Sequence, residues 1–257
     1  MPQEHVQSSW PGQQEGPEAK SAAVVEAPRS GPIMVVAAHP DDIESWCAGT
    51  LALSLAKGVT VKLLLVTSGD KGSDEPTATT IAVAARREAE ARAAAEHLGI
   101  TEIVFLRLPD GEVEDTYALR KSLVSWIRRW QPVVLFTHDP EHSYPPYLAH
   151  RDHRITGRVA LDAVYPLARD RLNFEELASD GLLPHKIAQV WLFSTTTPNA
   201  FVEITESFDR KLEARLAHQS QTSDPEALKV AWRKRAAAIG ATVGLPLAES
   251  FMVLHLA

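Results

Sequence analysis

His39-Pro40-Asp41-Asp42 places an imidazole and two carboxylates within four residues. Neutral imidazole and ionised carboxylate are the groups that hold a divalent metal, and three of them in one short turn can supply most of a site. Not all three need ligate. Successive residues of a turn point in different directions, so His39 and one aspartate can bind a metal while the other aspartate stays free for a water molecule. A second cluster, His150-Arg151-Asp152-His153, has its histidines three positions apart. If it opens a helix, both imidazoles lie on one face with Asp152 on the flank. One of them then completes a site of two histidines and one carboxylate, with coordination positions left for water and substrate. The other is free to carry a proton, its pKa naturally near the working range. Taken singly, the first motif could be a helix cap beside a buried histidine, and the second the polar face of a surface helix.

Both clusters need rigid elements to bring them together, and the hydrophobic pattern supplies them. Residues 33–38 form an apolar run suited to a strand buried on both faces, and the His39 cluster follows it at once. Apolar positions then recur at helical spacing to the Lys57-Gly58 stop. Strand 59–66, the loop 67–73, helix 79–98, strand 103–106, helix 117–130 and strand 133–137 repeat the alternation. A helix over 151–168, strands at 190–193 and 201–204, and helices at 208–218 and 225–239 complete it. This pattern predicts an α/β fold, a Rossmann-like three-layer sandwich with a mostly parallel central sheet. Ligands of such sheets bind outside the carboxyl ends of the strands, where the His39 cluster, the 67–73 loop and the 138–153 segment all fall.

The 257 residues carry 33 Asp+Glu against 26 Lys+Arg, a net charge of −7. That balance opposes a nucleic-acid-binding role, which needs a dense basic surface. A lone Cys47 offers no internal disulfide, no apolar run reaches the ~20 residues of a membrane span, and the N-terminus lacks the pattern of a secretory leader. A cytoplasmic enzyme is the expectation. Residues 1–30, rich in Pro, Gly, Gln, Glu and Ser, are expected to be a disordered tail before a domain over 31–257.

The ordered series His39-Pro40-Asp41-Asp42 with Glu44, Gly49-Thr50-Leu51, Thr67-x-Gly69, Arg87-x-x-Glu90, Leu108-Pro109-Asp110-Gly111, His150-x-Asp152-His153 with Gly157, His218-x-Ser220-Gln221 and Ala248-Glu249-x-Phe251 resembles the LmbE/PIG-L family of metal-dependent de-N-acetylases. The resemblance spans nearly the whole expected domain. It implies that His39, Asp42 and His153 hold Zn2+, with Fe2+ or another divalent ion as a substitute. It implies further that Asp41 is the general base, that His150 is the acid oriented by Asp152, and that Arg87, Asp110 and His218 face the substrate, a small N-acylated amino sugar or glycoconjugate. Trp46 departs from the glycine many members carry there, and Arg151 from a common proline. The segment bearing His138, His142, Tyr144, Pro145, Pro146 and Tyr147 reads as a substrate-facing lid whose histidines are loop polar groups rather than ligands.

Two other classes use similar residues. A non-haem Fe(II) enzyme would use the same two histidines and one carboxylate, and a non-catalytic sugar-binding module would need no base. The α/β alternation and the aspartate beside the ligand aspartate favour hydrolysis. A homo-oligomer is left open, and no nucleic acid or membrane partner is expected.

Overall fold

A strand buried on both faces must be apolar at every position, and Ile33, Met34, Val35, Val36 and Ala37 are all fully buried. In the computed structural model, which describes residues 22–141 and 150–256, they form the second of eight strands. In chain order these are β1 (Ala23–Val24), β2 (Ile33–Ala37), β3 (Val61–Thr67), β4 (Glu102–Leu108), β5 (Val134–His138), β6 (Gln189–Phe193), β7 (Ala200–Glu203) and β8 (Ala248–His255). Across the sheet they run β1-β7-β8-β6-β5-β2-β3-β4. β8 is antiparallel to both neighbours, and every other pairing is parallel.

Alternate residues of the strands feed two cores. Val35, Leu63, Leu65 and Phe136 pack beneath α1 (Asp42–Trp46), α2 (Ala48–Ala56) and α3 (Thr80–Leu98). Met34, Val36, Leu64 and Leu135 pack beneath α4 (Tyr117–Trp130), α5 (Arg151–Asp162) and α6 (Glu176–Ser179). Phe208 and Leu212 of α7 (Phe208–Leu216) and Ala236 of α8 (Pro225–Ala241) join the first core. The result is the expected three-layer sandwich. From β2 the chain winds outward to β3 and β4, then returns to place β5 on the other side of β2. The carboxyl ends of β2 and β5 therefore flank the point where the winding reverses, where an open α/β sheet leaves a crevice.

Several local expectations change. The domain begins before residue 31: Ala23 and Val24 pair with Ala200 and Phe201, and Ala27 is buried. Residues 1–21 lie outside the described residues. The helix after Asp42 breaks at Cys47, whose φ of −139° separates α1 from α2. The helix from Arg151 ends at Asp162 and passes into a π-turn over Ala163–Leu167, because Pro166 lacks the N–H that would continue the ladder. The last strand, β8, has no counterpart in the sequence-based reading.

One close approach sets the distance between α5 and β5. A Cβ on Gly157 would lie 2.3 Å from the His138 carbonyl oxygen, a backbone atom that cannot swing aside. Replacing glycine by alanine inside a helix ordinarily stabilises by about 1 kcal/mol, whereas overpacking a tight contact costs about 1–3 kcal/mol. The clash should win. Gly157→Ala is expected to lower the thermal midpoint by a few degrees, at roughly 2–4 °C per kcal/mol for a chain of this size, and to loosen the site that α5 carries. An alanine variant as stable as the parent would show that α5 is not held this closely.

Candidate active site

β2 ends at Ala37, and two residues later His39 turns into the crevice. The His39 backbone N–H donates to Asp42 Oδ2 at 2.7 Å, so Asp42 reaches back over the strand end instead of capping α1 forward. Asp41 occupies the N-cap position of α1, yet its carboxylate makes no cap hydrogen bond and remains available. From the other side of the switch point, α5 delivers His153. His39 Nδ1 lies 3.1 Å from His153 Nε2, His153 Nε2 lies 3.0 Å from Asp42 Oδ1, and His39 Nδ1 lies 3.5 Å from Asp42 Oδ2. Ligand atoms about 2.0–2.1 Å from a tetrahedral zinc sit about 3.3–3.4 Å from one another. Asp42 turns Oδ1 to His153 and Oδ2 to His39, so the three side chains bring donor atoms together at close to this spacing with both carboxylate oxygens taking part.

The surroundings of His39 fit a ligand role. Its other nitrogen, Nε2, lies 3.0 Å from Asp110 Oδ1 and 3.4 Å from Asp152 Oδ2. A ligating histidine commonly donates its second N–H to a carboxylate, which fixes the tautomer and leaves the first nitrogen's lone pair for the metal. Burial alone would lower the pKa of His39, but hydrogen bonds to Asp110, Asp152 and Asp42 raise it well above the ordinary imidazole value. The site stabilises positive charge at this point, as a proton or as a metal ion. Asp42 responds in the opposite sense: burial would raise its pKa, and His153 and His138 pull it well below the usual carboxylate range. Three sets of side chains lie close enough to share a cation: His39, His150 and His153; His39, Asp110, His150 and Asp152; and Asp42, His138 and His153, so that His39 and His153 link all of these groups into one connected cluster.

Asp41 stands beside this cluster, its side chain 23% exposed. Arg87 Nη2 donates to Asp41 Oδ1 at 2.7 Å, and Arg87 Nη1 donates to the Gly69 carbonyl at 3.1 Å. Gly69, at φ +60°, has no room for a side chain: a Cβ would lie 2.1 Å from Arg87 Nη1. The Thr67-x-Gly69 match is thereby explained as a cradle for this guanidinium.

Three expected roles are altered by the geometry. Asp152 was expected to orient His150, and its carboxylate accepts from the Gly111 and Val113 backbone N–H groups at 2.6 and 3.2 Å. Asp152 acts on His150 through its own backbone N–H, which donates to His150 Nδ1 at 3.2 Å. Burial, then the His39 and His153 charges, lower the pKa of His150, and an Nδ1 that accepts a hydrogen bond belongs to a neutral ring. With Nδ1 accepting, the hydrogen of that neutral ring is on Nε2. Arg87 and Asp110 were expected to face substrate, and both are instead engaged within the site, on Asp41 and His39. His218 was expected at the pocket rim and is 0% exposed, with Nε2 3.3 Å from Glu44 Oε2 beneath α1. Its neighbours in the motif brace the same region: Ser220 donates twice to Glu90, and Gln221 donates to the Gly72 carbonyl.

His138 is the residue that sequence reasoning undervalued. It is the last residue of β5 and is 1% exposed, so it belongs to the sheet and not to the loop. Its Nε2 lies 3.2 Å from Asp42 Oδ2, and its ring stacks on His153 at 4.1 Å. The usable signal was position, directly after the strand expected over 133–137, on the strand that pairs with β2 across the switch point. Residues 142–149, which include the expected lid residues His142, Tyr144, Pro145, Pro146 and Tyr147, lie outside the described residues. Trp46 stacks against Arg235 at 4.9 Å.

The family model of GlcNAc-PI de-N-acetylases, PIG-L, matches residues 34–164. A diacetylchitobiose deacetylase of Thermococcus kodakarensis is 33% identical over 189 residues, covering 74% of this chain and 69% of that protein. A probable N-acetyl-alpha-D-glucosaminyl L-malate deacetylase 2 of Bacillus anthracis is 29% identical over 196 residues, covering 74% and 80% respectively. Among solved structures, N,N'-diacetylchitobiose deacetylase from Pyrococcus horikoshii aligns with a TM-score of 0.81 and 29% identity, over 87% of this chain and 83% of that one.

Proposed function

This chain belongs to the PIG-L (LmbE-like) family, and from that premise we propose that it is a metal-dependent de-N-acetylase that removes an acetyl or other short acyl group from the nitrogen of an amino sugar or amino-sugar conjugate. The observation that carries this reading is the triangle of donor atoms from His39, Asp42 and His153 with a carboxylate, Asp41, standing next to it and outside it. A two-histidine, one-carboxylate set suits zinc, and other divalent ions can use it. When bound, such an ion supplies Lewis acidity towards water and the amide carbonyl.

The side chains divide the remaining work. Asp41 takes the proton of the attacking water, and Arg87 fixes the carboxylate by holding Oδ1, leaving Oδ2 for that proton. His150 donates an Nε2–H hydrogen bond to the developing oxyanion, and the proton that Asp41 takes from the water passes to the departing amine, so that the hydroxyl and the hydrogen of one water molecule are both accounted for. Water adds across one C–N bond and the products are a carboxylic acid and a primary amine. Asp110 and Asp152 hold His39 in the orientation that ligation requires.

The test is direct. Purified protein is analysed for metal, then offered N,N'-diacetylchitobiose, N-acetylglucosamine, N-acetylglucosaminyl malate and N-acetylglucosaminyl inositol with detection of released amine. Amine release from at least one, abolished by a chelator and restored by added zinc, is expected. No release from any of them by metal-loaded protein would sink the deacetylase, and oxygen consumption with an oxo-acid cosubstrate would replace it with the Fe(II) enzyme.

A further inference from the structure

We propose that His138 is a positioning residue that presets Asp42 and His153 for metal binding, acting through the carboxylate of one and the ring of the other. The inference rests on the reading of Asp42 and His153 as ligands. Asp42 has two oxygens with separate tasks. Oδ1 faces His153 at 3.0 Å, while Oδ2, 3.5 Å from His39 Nδ1, accepts from the His39 backbone at 2.7 Å and lies 3.2 Å from His138 Nε2. A ligating carboxylate tied at its second oxygen cannot rotate out of the triangle, and two ties restrain it better than one. The His138 ring also lies nearly parallel to His153, at 4.1 Å and 16°, and meets Phe193 edge to face at 4.6 Å and 66°. His153 projects from the first turn of a helix, where a side chain is free to swing, and the stack removes that freedom.

The tautomer follows from the partners. His138 Nδ1 is buried and has no hydrogen-bond partner among the described residues. A buried nitrogen without a partner is less costly as a bare acceptor than as an N–H donor, because an unpaired donor forfeits a stronger bond to water. The Ala38 backbone N–H lies 3.2 Å from Nε2 and donates to it in the other tautomer, so hydrogen on Nε2 leaves that N–H, instead of Nδ1–H, as the unpaired donor. A bond to an ionised carboxylate is roughly twice as strong as one between neutral groups, so hydrogen on Nε2, donated to Asp42, prevails.

Loss of an outer-shell partner of this kind typically lowers metal affinity by about 10–100-fold. The experiment measures zinc affinity by chelator competition in the parent, His138→Phe and His138→Gln, with circular dichroism to establish folding. His138→Phe keeps a flat ring for the stack but removes Nε2, and is expected to bind zinc about 10–100-fold more weakly. His138→Gln can place an amide N–H near the old Nε2 and is expected to recover most of that loss. Wild-type affinity in the phenylalanine variant, or an equal loss in both, would overturn the proposal, the second result pointing to packing alone. If the phenylalanine variant does not fold, His138→Asn replaces it: its amide is too short to reach Asp42, so affinity should fall below that of the glutamine variant, and equality between the two would overturn the proposal. Failure of the parent itself to bind zinc would instead strike at the ligand assignment beneath it.

Discussion

Asp41→Asn should keep its metal and lose turnover by about 10²- to 10⁴-fold, the span that a positioned general base contributes. The replacement preserves shape and the capacity to accept from Arg87, so the contact at 2.7 Å can persist through the amide oxygen. What disappears is basicity, because an amide cannot take the proton of the attacking water. Asp41 sits next to the ligand Asp42 in sequence, but its carboxylate is directed to Arg87 and solvent, not into the donor triangle. The effect should therefore fall on kcat with KM nearly unchanged, the signature of an interaction made in the transition state only. The measurement pairs steady-state amine release with metal content per chain. Arg87→Ala offers a contrast, since it leaves Asp41 basic but unanchored and should cost less than Asp41→Asn. If the asparagine variant retained more than a tenth of parental kcat, the base would have to be sought elsewhere in the cluster.

Much of this arrangement was readable before any coordinates because its parts are local. β2 is buried on both faces and reads as an unbroken apolar run; α3 starts at the Thr79 cap, whose side chain accepts from Ala82, and stops at Gly99 in the left-handed region. The two His/Asp motifs sit at ends of such elements, and their meeting at the carboxyl ends of parallel strands follows from the alternation, whereas the strand order that creates the switch point does not. β8 failed to register for the opposite reason. It pairs antiparallel between β6 and β7 after a helix with no parallel crossover, and Glu249 and Ser250 interrupt its apolar pattern. Glu249 is there because it meets Lys211, 38 positions away, and accepts from the Gly49 and Thr50 backbone N–H groups and the Thr50 hydroxyl, 199 to 200 positions away. The same distance problem hid the partners of Arg87 and Asp110. The resemblance turned both towards substrate, but what they touch is set by which loops the sheet brings together, and spacing along the chain does not encode it. His138 was misjudged by composition: a His-, Pro- and Tyr-rich segment reads as loop, although its first residue still belongs to the strand.

His153→Ala should separate ligation from basicity in the opposite direction, with metal lost and the fold kept. Structural zinc sites with four ligands bind with about 10–16 kcal/mol, so one ligand contributes roughly 2.5–4 kcal/mol, or about 10²- to 10³-fold in affinity. That exceeds the loss expected for an outer-shell group such as His138, and the ranking of the two variants is itself a check on which residue touches the ion. His153 is the better ligand to remove. Its side chain is 23% exposed, and its absence leaves Asp42 still paired with the His39 backbone and His138. Removing His39 would leave the carboxylates of Asp42, Asp110 and Asp152 facing one another in a buried site with no positive group between them, and such an uncompensated cluster destabilises the fold as well as the metal. A His39 variant would thus confound unfolding with loss of the ion, whereas His153→Ala should retain its circular dichroism while losing zinc. Added imidazole, small enough to enter the space vacated by the side chain, should restore part of both binding and turnover. Equal metal loss in His153→Ala and Asp41→Asn would place both residues in the ligand set, and the proton taken from water would then need another acceptor.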